Sequence, residues 1–211
     1  MPNRIMAVMQ RNYFDKLVSS YIYCLDEKKT VKIFLSDKYN IDYSSDEILN
    51  MLITKYKKLN ISASSKIRDL DKFINGLDCN VSRLKFELGM DCDSHFGLNN
   101  LPYCLTTLSI GCDKILVPLE YLPFTLINLQ IKCIHIYDFA LDFLPYGLRV
   151  LHIETKYNKR LDNFPPCLNT LVVKEIEIPD TLSELPPGLK LLCLMEYYPF
   201  QFKELPSSLE T

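Results

Sequence analysis

The sequence predicts an α/β solenoid, a coil of short parallel strands preceded by a small, mainly helical region. Three observations carry this. A ten-residue phrase returns about every 21 residues, apolar residues hold fixed places within it, and the spacers between phrases are too short for a full helix with two loops. A fixed period in this range marks stacked units, each burying its apolar side chains against its neighbours.

The phrase reads LPYCLTTLSI at Leu101–Ile110, LPFTLINLQI at Leu122–Ile131 and LPYGLRVLHI at Leu144–Ile153. It continues as FPPCLNTLVV at Phe164–Val173 and LPPGLKLLCL at Leu185–Leu194. A sixth copy, LPSSLET, starts at Leu205 and reaches Thr211 before its strand residues, so it is expected to be cut short. Apolar residues fall at positions 1, 5, 8 and 10, as in Leu101, Leu105, Leu108 and Ile110. Positions 8 and 10 are two apart and share one face of a strand. Positions 5 and 8 are three apart, so the chain turns into that strand. Proline at position 2 fixes φ and lacks an N–H, which suits the entry turn and not the ladder. A bent extended segment or a 3₁₀ turn should close each coil.

A weaker copy, LDCNVSRLKF at Leu77–Phe86, has Asp78 in place of the proline and reads as the first, atypical turn. The solenoid is thus predicted over residues 77–211. Residues 1–76 show no repeat. Apolar residues from Ile5 to Tyr21 follow a helical stripe, and Thr30–Leu35 reads as a strand. Ser44 and Glu47 form a capping box for a helix over Ser45–Leu59, with Lys55, Lys57 and Lys58 near its C-terminal dipole. Such a helical block would cover the open end of the coil.

Net charge is −2, with residues 1–76 mildly basic and the remainder mildly acidic. No clustered basic face reads as a nucleic-acid footprint. No stretch approaches the apolar length of a membrane span, and the run Ile5–Met9 is too short for a signal-peptide core. Cysteines stand at Cys24, Cys79, Cys92, Cys104, Cys112, Cys133, Cys167 and Cys193. Cys104 and Cys167 share one repeat position, and Cys112 and Cys133 share another. Duplicated small core residues give that pattern, so free thiols in a reducing, cytoplasmic setting are expected.

No phosphate loop, GxSxG, HExxH or CxxC occurs. Asp91, Cys92, Asp93 and His95 make one close group with no second pair, which falls short of a zinc site. The expectation is therefore no catalytic residue, metal or cofactor, and a partner that is neither nucleic acid nor membrane.

The outward strand positions form three columns. Position 9 reads Lys85, Ser109, Gln130, His152, Val172 and Cys193. Position 7 includes Asn128 and Leu191, and position 11 includes Lys132, Glu154, Lys174 and Met195. These residues should tile the concave face of the sheet and grade from polar to apolar, with Val172, Leu191, Cys193 and Met195 as an exposed patch. An exposed apolar patch beside polar residues reads either as a surface for a protein partner or as a face that a C-terminal segment beyond Thr211 covers.

The LPxxLxxLxI phrase resembles the short class of leucine-rich repeats. Two subfamilies are similar. Bacterial effector repeats share LPPGLK with Leu185–Lys190, but they carry a spacer Asn where this chain has Asp113, Ile134, Lys156, Ile176 and Tyr197. FNIP repeats, found largely in slime moulds and giant viruses, carry an aromatic-Asn pair before the next LPxxL, matched here by Tyr157-Asn158 ahead of Phe164-Pro165. The FNIP-like side fits better, over about residues 77–211. The resemblance implies a leucine-rich-repeat solenoid that holds a protein on its concave face, in the host cytoplasm if viral. FNIP-type proteins often carry an F-box, so the alternative is a substrate-recruiting adaptor or effector of a ubiquitin ligase. No clear F-box phrase stands in residues 1–76.

Overall fold

The computed structural model describes residues 21–25, 30–35, 58–63, 74–75, 77, 81–88, 93–94, 98–161, 163–176, 185–194 and 204–210. Each phrase enters its coil through one turn. The N–H of the position-5 leucine donates to the carbonyl of the position-2 proline, from Leu105 to Pro102 through Leu209 to Pro206, at 2.9–3.2 Å. Proline supplies the acceptor and needs no donor of its own, which is why it is tolerated here.

Beyond the turn the chain extends. Strands run over Tyr21–Leu25 (β1), Thr30–Leu35 (β2), Lys58–Ala63 (β3), Arg83–Leu88 (β4), Asp93–Ser94 (β5), Thr107–Cys112 (β6), Lys114–Ile115 (β7), Asn128–Cys133 (β8), Val150–Tyr157 (β9), Thr170–Ile176 (β10) and Leu191–Leu194 (β11). Nine of them make one sheet in the order β1-β2-β3-β4-β6-β8-β9-β10-β11. From β2 onward each pair is parallel, and only β1 joins antiparallel. Parallel neighbours whose order follows the sequence are the mark of stacked coils. The register shifts once, between Val173 and Glu175.

The interior is built column by column. Position 5 supplies Leu105, Leu126, Leu148, Leu168 and Leu189, position 8 supplies Leu108, Leu129, Leu151 and Leu171, and position 10 supplies Ile110, Ile131, Ile153 and Val173, all buried. Burying one such side chain is worth about 1.5–3 kcal/mol, so repetition and not any single contact holds the coil. The opposite wall comes from Leu98, Leu119, Leu141 and Leu161, each three residues ahead of a phrase. The back of the coil is irregular. It holds a 3₁₀ turn at Leu98–Asn100, the two-residue pairing of β5 with β7, and a single bridge between Tyr137 and Tyr157. Those two buried tyrosine rings stack with centroids 6.3 Å apart.

Two sets of polar contacts tie coil to coil. The carbonyl at position 6 accepts two N–H bonds from the next coil, as Thr106 does from Ile127 and Asn128, and Asn169 from Lys190 and Leu191. At position 4 the Thr125 hydroxyl donates toward the carbonyls of Tyr103 (2.6 Å) and Leu105 (2.9 Å). Ser208 repeats this with Pro187 and Leu189. The sixth phrase therefore docks: Leu209 packs on the core and the Glu210 N–H donates to Lys190.

The N-terminal region differs from its expectation. The strand over Thr30–Leu35 is present. The bodies of the two expected helices lie outside the described residues, but their last residues, Tyr21, Lys58 and Leu59, are strand. The sheet runs straight across, with Leu59 beside Leu84 and Ile61 beside Phe86, and Val31 and Ile33 beside Leu59 and Ile61. The apolar pair two residues apart thus recurs twice before Leu77. The strand of the copy at Leu77 is therefore internal to the sheet and not its first.

Candidate interaction face

The β-strand alternation that buries positions 8 and 10 must send positions 7, 9 and 11 to the other face. Lys85, Ser109, Gln130, His152, Val172 and Cys193 stand side by side in register on successive strands. Asn128 and Leu191 lie in the column before, and Lys132 and Glu154 in the column after. Lys174 is exposed at the register shift of β10. Met195 lies outside the described residues.

Packing on this face is mostly polar. The Ser109 hydroxyl donates to Gln130 Oε1 at 3.1 Å, and Gln130 Nε2 donates to Glu154 Oε1 at 2.6 Å. Lys132 Nζ lies 3.5 Å from Glu154 Oε2, and His152 Nδ1 lies 3.9 Å from Glu154 Oε1. Glu154, only 20 % exposed at its side chain, is therefore the hub of a chain of groups crossing β6, β8 and β9. Nearby, Asn128 Nδ2 reaches Thr107 Oγ1 at 3.4 Å, and Lys85 pairs with Glu87 on its own strand. Gly111 stands in the position-11 column, where a Cβ would come within 3.3 Å of the Phe86 carbonyl.

The apolar end of the face is smaller than the sequence predicts. Val172, in register between His152 and Cys193, keeps only 7 % exposure. The patch rests on Leu191, 49 % exposed, and on the exposed Cys193.

The thiols divide by position. Cys112 and Cys133 are register partners, buried, with sulfurs 3.8 Å apart and no disulfide between them. Their mutual hydrogen bond, then burial, pushes the Cys133 thiol well above its ordinary range. Burial likewise raises the Tyr137 and Tyr157 phenols. Neither buried hydroxyl has a hydrogen-bond partner, though the backbone of Leu119 near Tyr137 and of Leu141 near Tyr157 partly offsets the rise. Of the Cys92–His95 stretch beside Asp91, only Asp93 and Ser94 are described, as β5. Among the described residues no group of three His, Cys, Asp or Glu side chains converges to hold a metal ion, and no helix is long and apolar enough to cross a membrane.

Sequence reading missed two features. The wall of Leu98, Leu119, Leu141 and Leu161 is one, and its regular recurrence ahead of each phrase was available as a signal. The other is a group of exposed aromatic rings on the entry turns, including Tyr103, Phe124 and Tyr146 at one repeat position.

The fold and this face define a repeat solenoid with a self-bonded polar strip. Comparison with family models, curated proteins and solved structures finds no match.

Proposed function

We propose that this chain is a non-catalytic protein-binding module of the FNIP-like leucine-rich-repeat class, holding a protein partner on the outward face of its sheet. The observation that supports this reading is the register of position 9. Residues about 21 apart in sequence stand on adjacent strands, so the coil displays a fixed pattern from Lys85 to Cys193. Solenoids use such extended surfaces to bind. Gln130, His152 and Glu154 are oriented by one another, which lowers the entropy cost of engaging a partner. Leu191 and Cys193 add an apolar contact at one end.

A photo-crosslinking side chain placed at Gln130, His152 or Leu191, and as a control at the exposed Asp138, tests this reading. A partner crosslinked from the outward face and not from Asp138 supports it. Equal labelling from both faces, or none from the sheet, removes the face from consideration.

A further inference from the structure

We infer that the entry-turn edge of the middle coils is a second binding surface, one that takes a proline-rich segment bearing a basic residue. The inference goes beyond the sheet-face reading and does not depend on it. Tyr103, Tyr121, Phe124, Phe143 and Tyr146 are each 63–77 % exposed, on three consecutive coils. At 150–250 Å² per ring, they expose on the order of 600 Å² of aromatic surface, the upper end for a single exposed patch on a monomer.

The backbone fixes their spacing. Thr125 donates to the Tyr103 carbonyl, and a Cβ built on Gly147 would lie 3.9 Å from the Phe124 carbonyl, so the three turns stack directly. Neighbouring strands lie about 4.7–4.9 Å apart, so two rungs span about 9.4–9.8 Å. A polyproline II helix advances about 9.3 Å per three residues. Proline at every third position therefore meets the rings of Tyr103 and Tyr146 in step, with the Phe124 rung between.

Chemistry agrees with spacing. A polyproline backbone offers carbonyl acceptors and few donors, and aromatic-lined grooves recognise it. Tyr121 and Tyr146 bring hydroxyl donors to this edge. Exposed carboxylates stand immediately before two of the rings, Glu120 ahead of Tyr121 and Asp142 ahead of Phe143. They attract an Arg or Lys flanking the prolines. A second copy of this chain fits less well, because a two-fold contact of ridge on ridge would bring these carboxylates together.

The test is fluorescence anisotropy of a labelled Arg-(Ala-Pro-Pro)₃ peptide titrated with the intact chain, with an Arg-(Ala)₉ peptide as control. Saturable binding of the proline peptide alone is expected. Phe124→Ser and Tyr146→Ser should each weaken it roughly tenfold, with the circular dichroism spectrum unchanged. Glu120→Gln with Asp142→Asn should weaken it about threefold, and added salt should reproduce that loss. His152→Ala, on the sheet face, should leave it unaltered. No saturable binding, equal binding of the alanine peptide, or retention by Phe124→Ser and Tyr146→Ser would overturn the inference. So would loss on His152→Ala, or a self-association in sedimentation that Phe124→Ser abolishes.

Discussion

Glu154 Oε1 accepts a 2.6 Å hydrogen bond from Gln130 Nε2 on the neighbouring strand. The same carboxylate draws Lys132 and His152, so three side chains from two strands are oriented by one acceptor. The contact joins residues 24 apart in sequence and exists only because the coils stack in register.

The two residues should be energetically coupled. A double-mutant cycle with Gln130→Ala and Glu154→Ala, read by urea unfolding, should give a coupling of about 0.5–1.5 kcal/mol. Additive effects would show that this hydrogen bond does not contribute in solution. Lys132, far more exposed than Glu154, should couple to it more weakly, by under about 1 kcal/mol.

Position 4 offers a repeat-to-repeat transfer. Thr125 and Ser208 bridge to the preceding coil through two carbonyls each, whereas Gly147 and Gly188 stand at the same position without a side chain. A Cβ at either glycine would meet only ordinary contact at 3.9 Å. Thr125→Ala should therefore cost about 1 kcal/mol, and Gly147→Ser should stabilise by about 0.5–1 kcal/mol. The urea midpoint measures both; a fall for Gly147→Ser would show that the bridge does not transfer.

Alkaline pH should unfold this protein early. Cys133, Tyr137 and Tyr157 are acids whose folded pKa lies above the ordinary values of 9.0 and 10.0. The unfolded state therefore ionises first as pH rises. Their contribution to stability is fully present below those values and is lost above them. The urea midpoint should hold from about pH 6 to 8, begin to fall near 9 and fall faster beyond about 10. A flat midpoint through pH 10.5 would contradict the burial of these groups. In the same register, Cys167 and Cys193 should react at once with a thiol reagent, and Cys112 and Cys133 only on unfolding.

The interior should be sensitive where the face is not. Leu151→Ala, at a fully buried site, should cost about 2–5 kcal/mol, while His152→Ala beside it should cost under about 0.5 kcal/mol. Thermal unfolding separates the two; comparable losses would mean that the alternation along β9 is wrong.

The coil was readable from residue 101 onward because the phrase keeps its period there, and positions 5, 8 and 10 fall where the core needs them. The earlier strands were not, because Val31–Ile33 and Leu59–Ile61 carry only the strand pair, without the LPxxL entry, at wider spacing. Leu59 also continued an apolar spacing that suited a helix, with Lys58 suited to its C-terminal dipole, and pairing with Leu84 and Arg83 overrode it. Column membership on the outward face followed from strand alternation alone. The convergence on Glu154 did not, since it depends on rotamers that spacing cannot specify. The loss of Val172 from the exposed patch was not legible either: strand alternation places it on the outward face but does not set its 7 % exposure.

The most direct test of the binding reading measures affinity and stability together, with the partner captured by the crosslinking described above. Gln130→Ala, His152→Ala and Glu154→Ala should each weaken binding by roughly tenfold or more at well-packed contacts while moving the melting temperature only slightly. Binding that is unchanged in all three, with stability intact, would contradict the claim that the outward face of this sheet holds the partner.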